Sequence, residues 1–114
     1  MRIEVKGRNT PVTDDLHDHV VKRFRKIGKQ VSELAVLELE VWEERNPANP
    51  EPWGASATLH LKGCTLRAED CSHDPIRSVN LIADELAVQV KRHREKRRAR
   101  RASRAAADVH ARPA

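Results

Sequence analysis

Residues 55–71 read ASATLHLKGCTLRAEDC, and this stretch determines the sheet of the domain. From Ala55 to Leu61 the apolar residues occupy every second position, so they fall on one side of an extended chain, as in a half-buried strand. Lys62 and Gly63 are turn residues, and the segment from Thr65 to Cys71 follows as a partner strand. The stretch therefore predicts a β-hairpin that supplies the third and fourth strands.

Two more strands precede this hairpin. Apolar and charged residues alternate from Arg2 to Lys6, where Gly7 interrupts the pattern. Residues 37–42 alternate in the same way, which predicts a second strand with an apolar inner face and an acidic outer face. Residues 43–53 contain three prolines and two Asn-Pro pairs, which disfavour both helix and strand, so a loop is predicted there.

Capping signals and apolar spacing predict the first helix. Thr13, followed by Asp14 and Asp15, has the composition of an N-cap with acids in the first turn. Apolar residues then recur at helical spacing as far as Val31, and the helix is expected from about Thr13 to Gln30. With a second helix at the end, the order β-α-β-β-β-α predicts an α+β fold, in which a four-stranded mixed sheet carries both helices on one face.

The second helix is predicted to begin with Asp74 and Pro75, an N-cap followed by proline at the first helical position. Its apolar stripe ends after Val90, and the sequence beyond is largely Ala, Arg and Lys, which favours helix but has nothing to bury. We therefore predict an α+β domain over residues 1–92 and a basic helical extension over residues 93–114 that frays into a disordered tail.

Charge is distributed unevenly along the chain. Residues 1–90 hold 12 basic and 15 acidic side chains, net −3, whereas residues 91–114 hold 10 basic and 2 acidic, net +8. A positive field concentrated in this way steers a polyanion to one end of the molecule, which makes RNA the expected partner. The candidate RNA-binding residues are Arg8, Lys22, Arg23, Arg25, Lys26, Lys29, Lys91, Arg92, Arg94, Lys96, Arg97, Arg98, Arg100 and Arg101.

The sequence offers little for catalysis or for membrane insertion. No nucleophile with a matching base and no phosphate-binding motif occurs, so neither an enzyme nor a cofactor nor a small-molecule substrate is expected. The adjacent acids Glu69 and Asp70 alternate faces of a strand and are not expected to act as a dyad. The longest apolar clusters are far shorter than the roughly 20 residues of a membrane span, so no membrane partner is expected.

Four potential zinc ligands lie within a short stretch, namely His60, Cys64, Cys71 and His73. They contain no C-x-x-C pair, and alternation along a strand separates neighbouring side chains, so no metal site is predicted. Residues 1–10 lack the apolar core of a signal peptide. We therefore expect reduced thiols and a cytoplasmic location.

Four groups of residues, in chain order, form a family pattern: Ile3-Glu4-Val5-Lys6-Gly7-Arg8-Asn9, Val12-Thr13-Asp14, Leu66-Arg67-Ala68-Glu69 leading to Asp74, and Ser78-Val79-Asn80 with Asp84, Leu86, Gln89 and Lys91. The pattern resembles the ribosome hibernation promoting factors, also called ribosome-associated inhibitors or the sigma-54 modulation family, in a short form. Pro75-Ile76 stands where the family usually has Met-Tyr, and Glu85 and Val88 occupy positions that are commonly basic.

The resemblance implies a domain similar to double-stranded RNA-binding folds, seated between head and platform of the small ribosomal subunit. There it would overlap the mRNA and tRNA sites, so the implied function is inhibition of translation in hibernating ribosomes under stress, by steric block. By position, the implied contacts with ribosomal RNA come from Lys22, Arg25, Lys26, Lys29 and from Lys91 onward. The free protein is expected to be a monomer.

Other interpretations of the same residues stay open at this point. The basic run fits a generic double-stranded RNA or DNA binding protein, and it also fits a solvated tail without a specific role. Glu38 and Glu40 on the outer face of strand two, together with the loop from Trp42 to Trp53, could instead bind a protein partner.

Overall fold

Four strands and two helices follow one another in the predicted order. In the computed structural model of the protein, residues 1–111 are described, with side chains through residue 104. The elements are β1 (Arg2–Arg8), α1 (Asp14–Gly28), β2 (Val36–Glu43), β3 (Trp53–Leu61), β4 (Cys64–Ser72) and α2 (Pro75–Ala111). The α+β prediction is confirmed.

The sheet is mixed and has the strand order β1-β2-β3-β4. β1 runs parallel to β2, with α1 as the crossover that a parallel pair requires, and the other two pairings are antiparallel. β3 and β4 form the predicted hairpin, because Leu61 pairs with Cys64 across a two-residue turn. Gly63 in this turn has a φ of +73°, a left-handed conformation that glycine adopts without steric cost.

Both helices pack on one face of the sheet and enclose the core. Phe24 of α1 and Leu86 of α2 are fully buried, as are Leu37 and Leu59 of the two central strands. Burial of each such side chain contributes about 1.5–3 kcal/mol, so the core accounts for much of the stability of this small domain. The described core also includes Leu16, Val20, Ile27, Ala35, Leu39, Val41, Ala55, Ala57, Ala68, Val79, Ile82, Ala83 and Val90.

The predicted caps fix where both helices begin. The Thr13 hydroxyl accepts a hydrogen bond from the Leu16 amide (3.2 Å), and the Asp74 carboxylate accepts one from the Arg77 amide (3.2 Å). The buried Ser78 hydroxyl then donates to the Trp53 carbonyl oxygen at 2.7 Å. The first turns of α2 are therefore tied to the start of β3 as well as capped.

Trp42 lies on the face of the sheet opposite the helices, as the alternation predicts, yet it is buried. Its indole rests on Gly54 of the neighbouring strand, where an added Cβ would lie 2.1 Å from the ring. The Arg8 guanidinium lies over the ring, 4.9 Å from its centre. Close contact with Gly54 and with Arg8 thus shields an aromatic residue on an otherwise polar surface.

α2 continues well beyond the core. Val90 is its last buried residue among the described side chains, and the helix extends to Ala111. The predicted boundary near residue 92 stays a prediction, and the part of the predicted tail over residues 112–114 lies outside the described residues. Among the described residues, no helix combines the length and apolarity needed to cross a membrane.

Candidate nucleic-acid interface

The first basic surface is a stripe along α1. Lys22, Arg25, Lys26 and Lys29 are all exposed, and we call them the α1 ridge. Their spacing of three, four and seven residues places them on one side of the helix, opposite the buried Phe24. The ridge lies at the C-terminal end of α1, where cations also interact favourably with the helix dipole.

The second basic surface is the part of α2 that leaves the core. Residues 91–104, here called the basic arm, hold nine Lys and Arg side chains against one acid, Glu95. Every one of these nine cations is exposed. At 1.5 Å per residue the arm is about 20 Å long, and at 100° per residue its charges point in all directions. No ion pair among the described side chains involves the arm.

The α1 ridge and the basic arm approach each other at one end of the molecule. Gln30, which follows Lys29 in sequence, lines the same surface groove as Arg94 and Arg97 of the arm. The groove also contains the tip of the β3–β4 hairpin. The C-terminal end of the α1 ridge therefore lies near the start of the basic arm, at the edge where α2 leaves the sheet.

Arg23 differs from the α1 ridge, although the sequence places it on the same helix. Its guanidinium contacts the Asp84 carboxylate of α2, and its Nε donates to the Asn80 side-chain oxygen at 3.2 Å. The His19 ring is also bonded to that oxygen, at 2.8 Å. Arg23 thus links the two helices, and a contact with RNA, which stays a prediction, would compete with this link.

Arg8 lies apart from both basic surfaces. It projects from the end of β1 onto the open face of the sheet, where it stacks on Trp42 and approaches the Glu40 carboxylate at 3.5 Å. The helices are on the opposite face. The structure therefore does not bring Arg8 together with the other candidates, and its predicted RNA contact would need a second binding face.

The open face of the sheet is electrically balanced, in contrast to its predicted acidity along strand two. Glu38 is bonded to His60 of β3 at 3.3 Å, and Glu40 to Arg8. The strand register places four carboxylates on this face beside four cations: Glu4, Glu38, Glu40 and Glu69 beside Arg2, Lys6, Arg8 and Arg67. The acidic surface proposed for a protein partner is therefore largely neutralised.

A pair of carboxyl groups lies between β4 and the first half of α2, before the basic arm begins. The hydrogen bond with Asp70 of β4, together with burial, raises the pKa of Glu85 to about 7. The same bond, with a backbone N–H donated by Cys71, lowers the pKa of Asp70. The two pKa values are therefore moved apart, and Glu85 is the carboxyl of the pair that keeps its proton to the higher pH. A phosphate would be repelled from this position, in agreement with the acidic departure at Glu85.

The four potential zinc ligands do not converge. His60 lies on the open face of the sheet, whereas Cys64 pairs with Leu61 on the helix-covered face. Cys71 is seven residues farther along β4 and on the open face, and burial raises the pKa of its thiol. Both cysteines are free, and no cluster of three metal-binding side chains occurs within the described part of the chain.

Comparison with known proteins identifies the family. A sequence profile described as "Sigma 54 modulation protein / S30EA ribosomal protein" matches residues 3–98. The chain belongs to this family. The matched range includes the sheet apart from Arg2, the core residues of both helices and the first half of the basic arm.

Relatives of this family share about a quarter of their residues with the chain. A ribosome hibernation promoting factor of Azotobacter vinelandii is 26% identical over 96 residues, covering 84% of this chain and 85% of the relative. A ribosome hibernation promotion factor of Picosynechococcus sp. is also 26% identical, over 97 residues. The chain spans about half the length of that relative and of the one from Lactococcus lactis, at 50% each.

Solved structures show the same fold. The N-terminal domain of Thermus thermophilus Protein Y superposes with a TM-score of 0.69 at 23% identity, covering 82% of this chain and 99% of that domain. A ribosomal subunit interface protein from Coxiella burnetii gives 0.71 at 17% identity, covering 83% and 99%. The β-α-β-β-β-α architecture is therefore that of the family.

Proposed function

We propose that this chain is a ribosome-associated translation inhibitor that binds ribosomal RNA of the small subunit over the mRNA and tRNA sites. The observation that carries the proposal is the basic arm, in which nine exposed cations are opposed by one acid on a helix that leaves the core near the end of the α1 ridge. The ribosome hibernation factors among its relatives support the ribosome as the partner.

In the proposed mechanism the protein occupies the mRNA and tRNA sites and catalyses no reaction. Cations around the arm can contact phosphates on several sides at once, as a helix inserted between RNA backbones would, while the α1 ridge contacts a neighbouring segment. The folded domain then blocks the path of mRNA and tRNA by its bulk. With this role we propose a cytoplasmic protein that is monomeric when free and that uses no cofactor, metal or small-molecule substrate.

A sucrose gradient tests this proposal. Arg97, Arg98, Arg100 and Arg101 are changed together to Ala, and we expect the variant to leave the small-subunit fractions at a lower salt concentration than the wild type. A matched control changes four exposed arginines outside both basic surfaces, Arg2, Arg45, Arg67 and Arg77, and should sediment as the wild type does. Wild-type protein that stays free of subunits at low salt would refute the proposal.

A generic duplex-binding protein is the second candidate, because the arm displays its charge in all directions and only three aromatic residues occur in the chain. Without stacking platforms, discrimination would depend on the shape of the RNA. Competition separates the two candidates. An excess of arbitrary duplex RNA should leave the ribosome-bound protein in place if the proposal is right, and should displace it if binding is generic.

A further inference from the structure

The groove between the domain and the basic arm has a composition of its own. We call it the junction groove; it has a volume of about 600 Å³ and lies among the turn after α1, the β3–β4 hairpin tip and the start of the arm. Its apolar floor includes Val31, Val36, Leu61 and Val90. The groove is continuous with the core at Val90, which is fully buried.

Leu34 stands at this groove with 90% of its surface exposed. The turn that carries it is fixed, because the Leu34 amide donates to the Ser32 hydroxyl at 3.1 Å and the Ala35 amide donates to the Ser32 carbonyl at 3.0 Å. The turn therefore places the Leu34 side chain in solvent, outside the core. An apolar residue held out in this way is ready to contact a partner without further ordering.

The rim of the groove is positive. Lys62, Arg94 and Arg97 line it together with His93, and none of the described lining residues is Asp or Glu. An occupant that complements this rim carries negative charge, and one that complements the floor carries apolar side chains.

RNA has the negative charge that complements the rim, but it lacks the apolar side chains that complement the floor. Arg94 and Arg97 at the rim can contact phosphates or stack on a base, but the floor of the junction groove is aliphatic, without Phe, Tyr or Trp among its described lining, and so offers bases no stacking surface. Aliphatic floors instead accept leucine-like side chains, as in the grooves that bind short protein segments. A second copy of this chain is less suitable, because its acid-rich loop, residues 43–53, lies at the opposite end of the sheet and would produce an open chain of molecules.

We propose that the junction groove binds a short acidic segment of a partner protein, anchored by leucine-like side chains against Leu34 and the aliphatic floor. This site is separate from the proposed RNA contact, except that Arg94 and Arg97 border both. Binding to a peptide is measured on the free protein, so failure here leaves the ribosome proposal untouched, and failure of ribosome binding leaves this one untouched.

The probe is a fluorescein-labelled peptide of alternating glutamate and leucine, compared with the same peptide in which serine replaces every leucine. Titration into the full chain is followed by fluorescence anisotropy and by backbone amide spectra. We expect saturable binding of the leucine peptide, with amide shifts at Val31, Leu34 and Leu61. Equal binding of the serine peptide, or no shift of these amides at millimolar peptide, would overturn the proposal.

Two substitutions with matched controls locate the site. Leu34→Ser should weaken peptide binding about tenfold, which is the scale of one leucine contact, whereas Val88→Ser should not, because Val88 is exposed but does not line the groove. Lys62→Glu should likewise weaken binding, and Lys6→Glu on the open face should not. All four positions are at the surface, so the fold is retained, which the amide spectra verify.

Other occupants give different results. Concentration-dependent dimerisation abolished by Leu34→Ser would assign the groove to a second copy and overturn the proposal. Stronger perturbation of Leu34 and Leu61 by single-stranded RNA than by the leucine peptide would assign it to RNA and overturn it as well. Because the groove is separate from the proposed RNA contact, the Leu34→Ser variant should sediment with small subunits as the wild type does.

Discussion

The first 90 residues and the basic arm differ in both packing and charge. The first region encloses all 18 buried apolar residues among those described and has a net charge of −3, from 12 basic and 15 acidic side chains. The arm has no buried residue among its described side chains and a net charge of +8, from nine basic and one acidic. Apolar packing stabilises the first region, whereas the arm adds positive charge without adding buried side chains.

This difference indicates that the residues that stabilise the fold and the residues proposed to bind RNA lie in different parts of the chain. Stability depends on apolar contacts between the sheet and two helices, which salt affects little. Affinity for RNA depends on phosphate neutralisation, which salt weakens strongly. Substitutions in the core should therefore change the stability of the domain, and substitutions in the arm should change its affinity for RNA, each with little effect on the other property.

The largest expected effect is a loss of stability in the core. Phe24 is fully buried between the helices and the sheet, so Phe24→Ala should lower the free energy of unfolding by about 3–5 kcal/mol. Urea unfolding followed by circular dichroism measures this change. The four Arg→Ala substitutions in the arm are the control and should shift the same unfolding free energy by less than about 0.5 kcal/mol. If the arm variant lost a comparable amount of unfolding free energy, the arm would contribute to stability and the two regions would not be separable.

A smaller effect concerns the salt dependence of RNA binding. Removing the four arm arginines should reduce the slope of log affinity against log salt by about 3, because each phosphate contact contributes close to 0.7–0.9. Lys22→Ala with Lys26→Ala on the α1 ridge should reduce it by between about 1 and 2. Fluorescence anisotropy with a ribosomal RNA fragment at several salt concentrations measures both. Equal slopes for the wild type and the arm variant would show that the arm does not contact phosphate.

Local signals made most of the fold predictable. The hairpin follows from alternation around Lys62-Gly63, and the Thr13 and Asp74 caps are short-range patterns that the structure reproduces. The exposure of the candidate cations also followed from their position opposite an apolar stripe or beyond its end. These features depend on neighbours within a few residues, so the sequence contains them directly.

Contacts between distant elements were not predictable. The sequence shows Asp70 beside Glu69, although its partner is Glu85 on α2. It also makes Arg23 a candidate for RNA binding, although Asn80 and Asp84 of α2 hold this side chain. The sequence shows each residue of these pairs but not the angle at which α1, α2 and β4 meet. The same reason explains why the junction groove, formed by three separate segments, had no sequence signal.

The smallest expected effect concerns the acidic boundary between the two regions, at Glu85. Because the Asp70 hydrogen bond and burial raise the pKa of Glu85 from 4.5 to about 7, the folded state holds its proton more tightly than the unfolded state does. Stability contributed by this group is therefore complete below about pH 4.5, declines as the pH rises through about 7, and is constant above that. Glu85→Gln, whose amide donates to Asp70 at any pH, should remove this decline and stabilise the protein at pH 8 by an amount on the order of 1 kcal/mol, after allowance for solvent screening. Urea unfolding at pH 5 and pH 8 measures the difference, with Glu69→Gln on the opposite face of β4 as the control. If Glu85→Gln and the wild type lost equal stability between these pH values, the pKa of Glu85 would not be raised by its contact with Asp70.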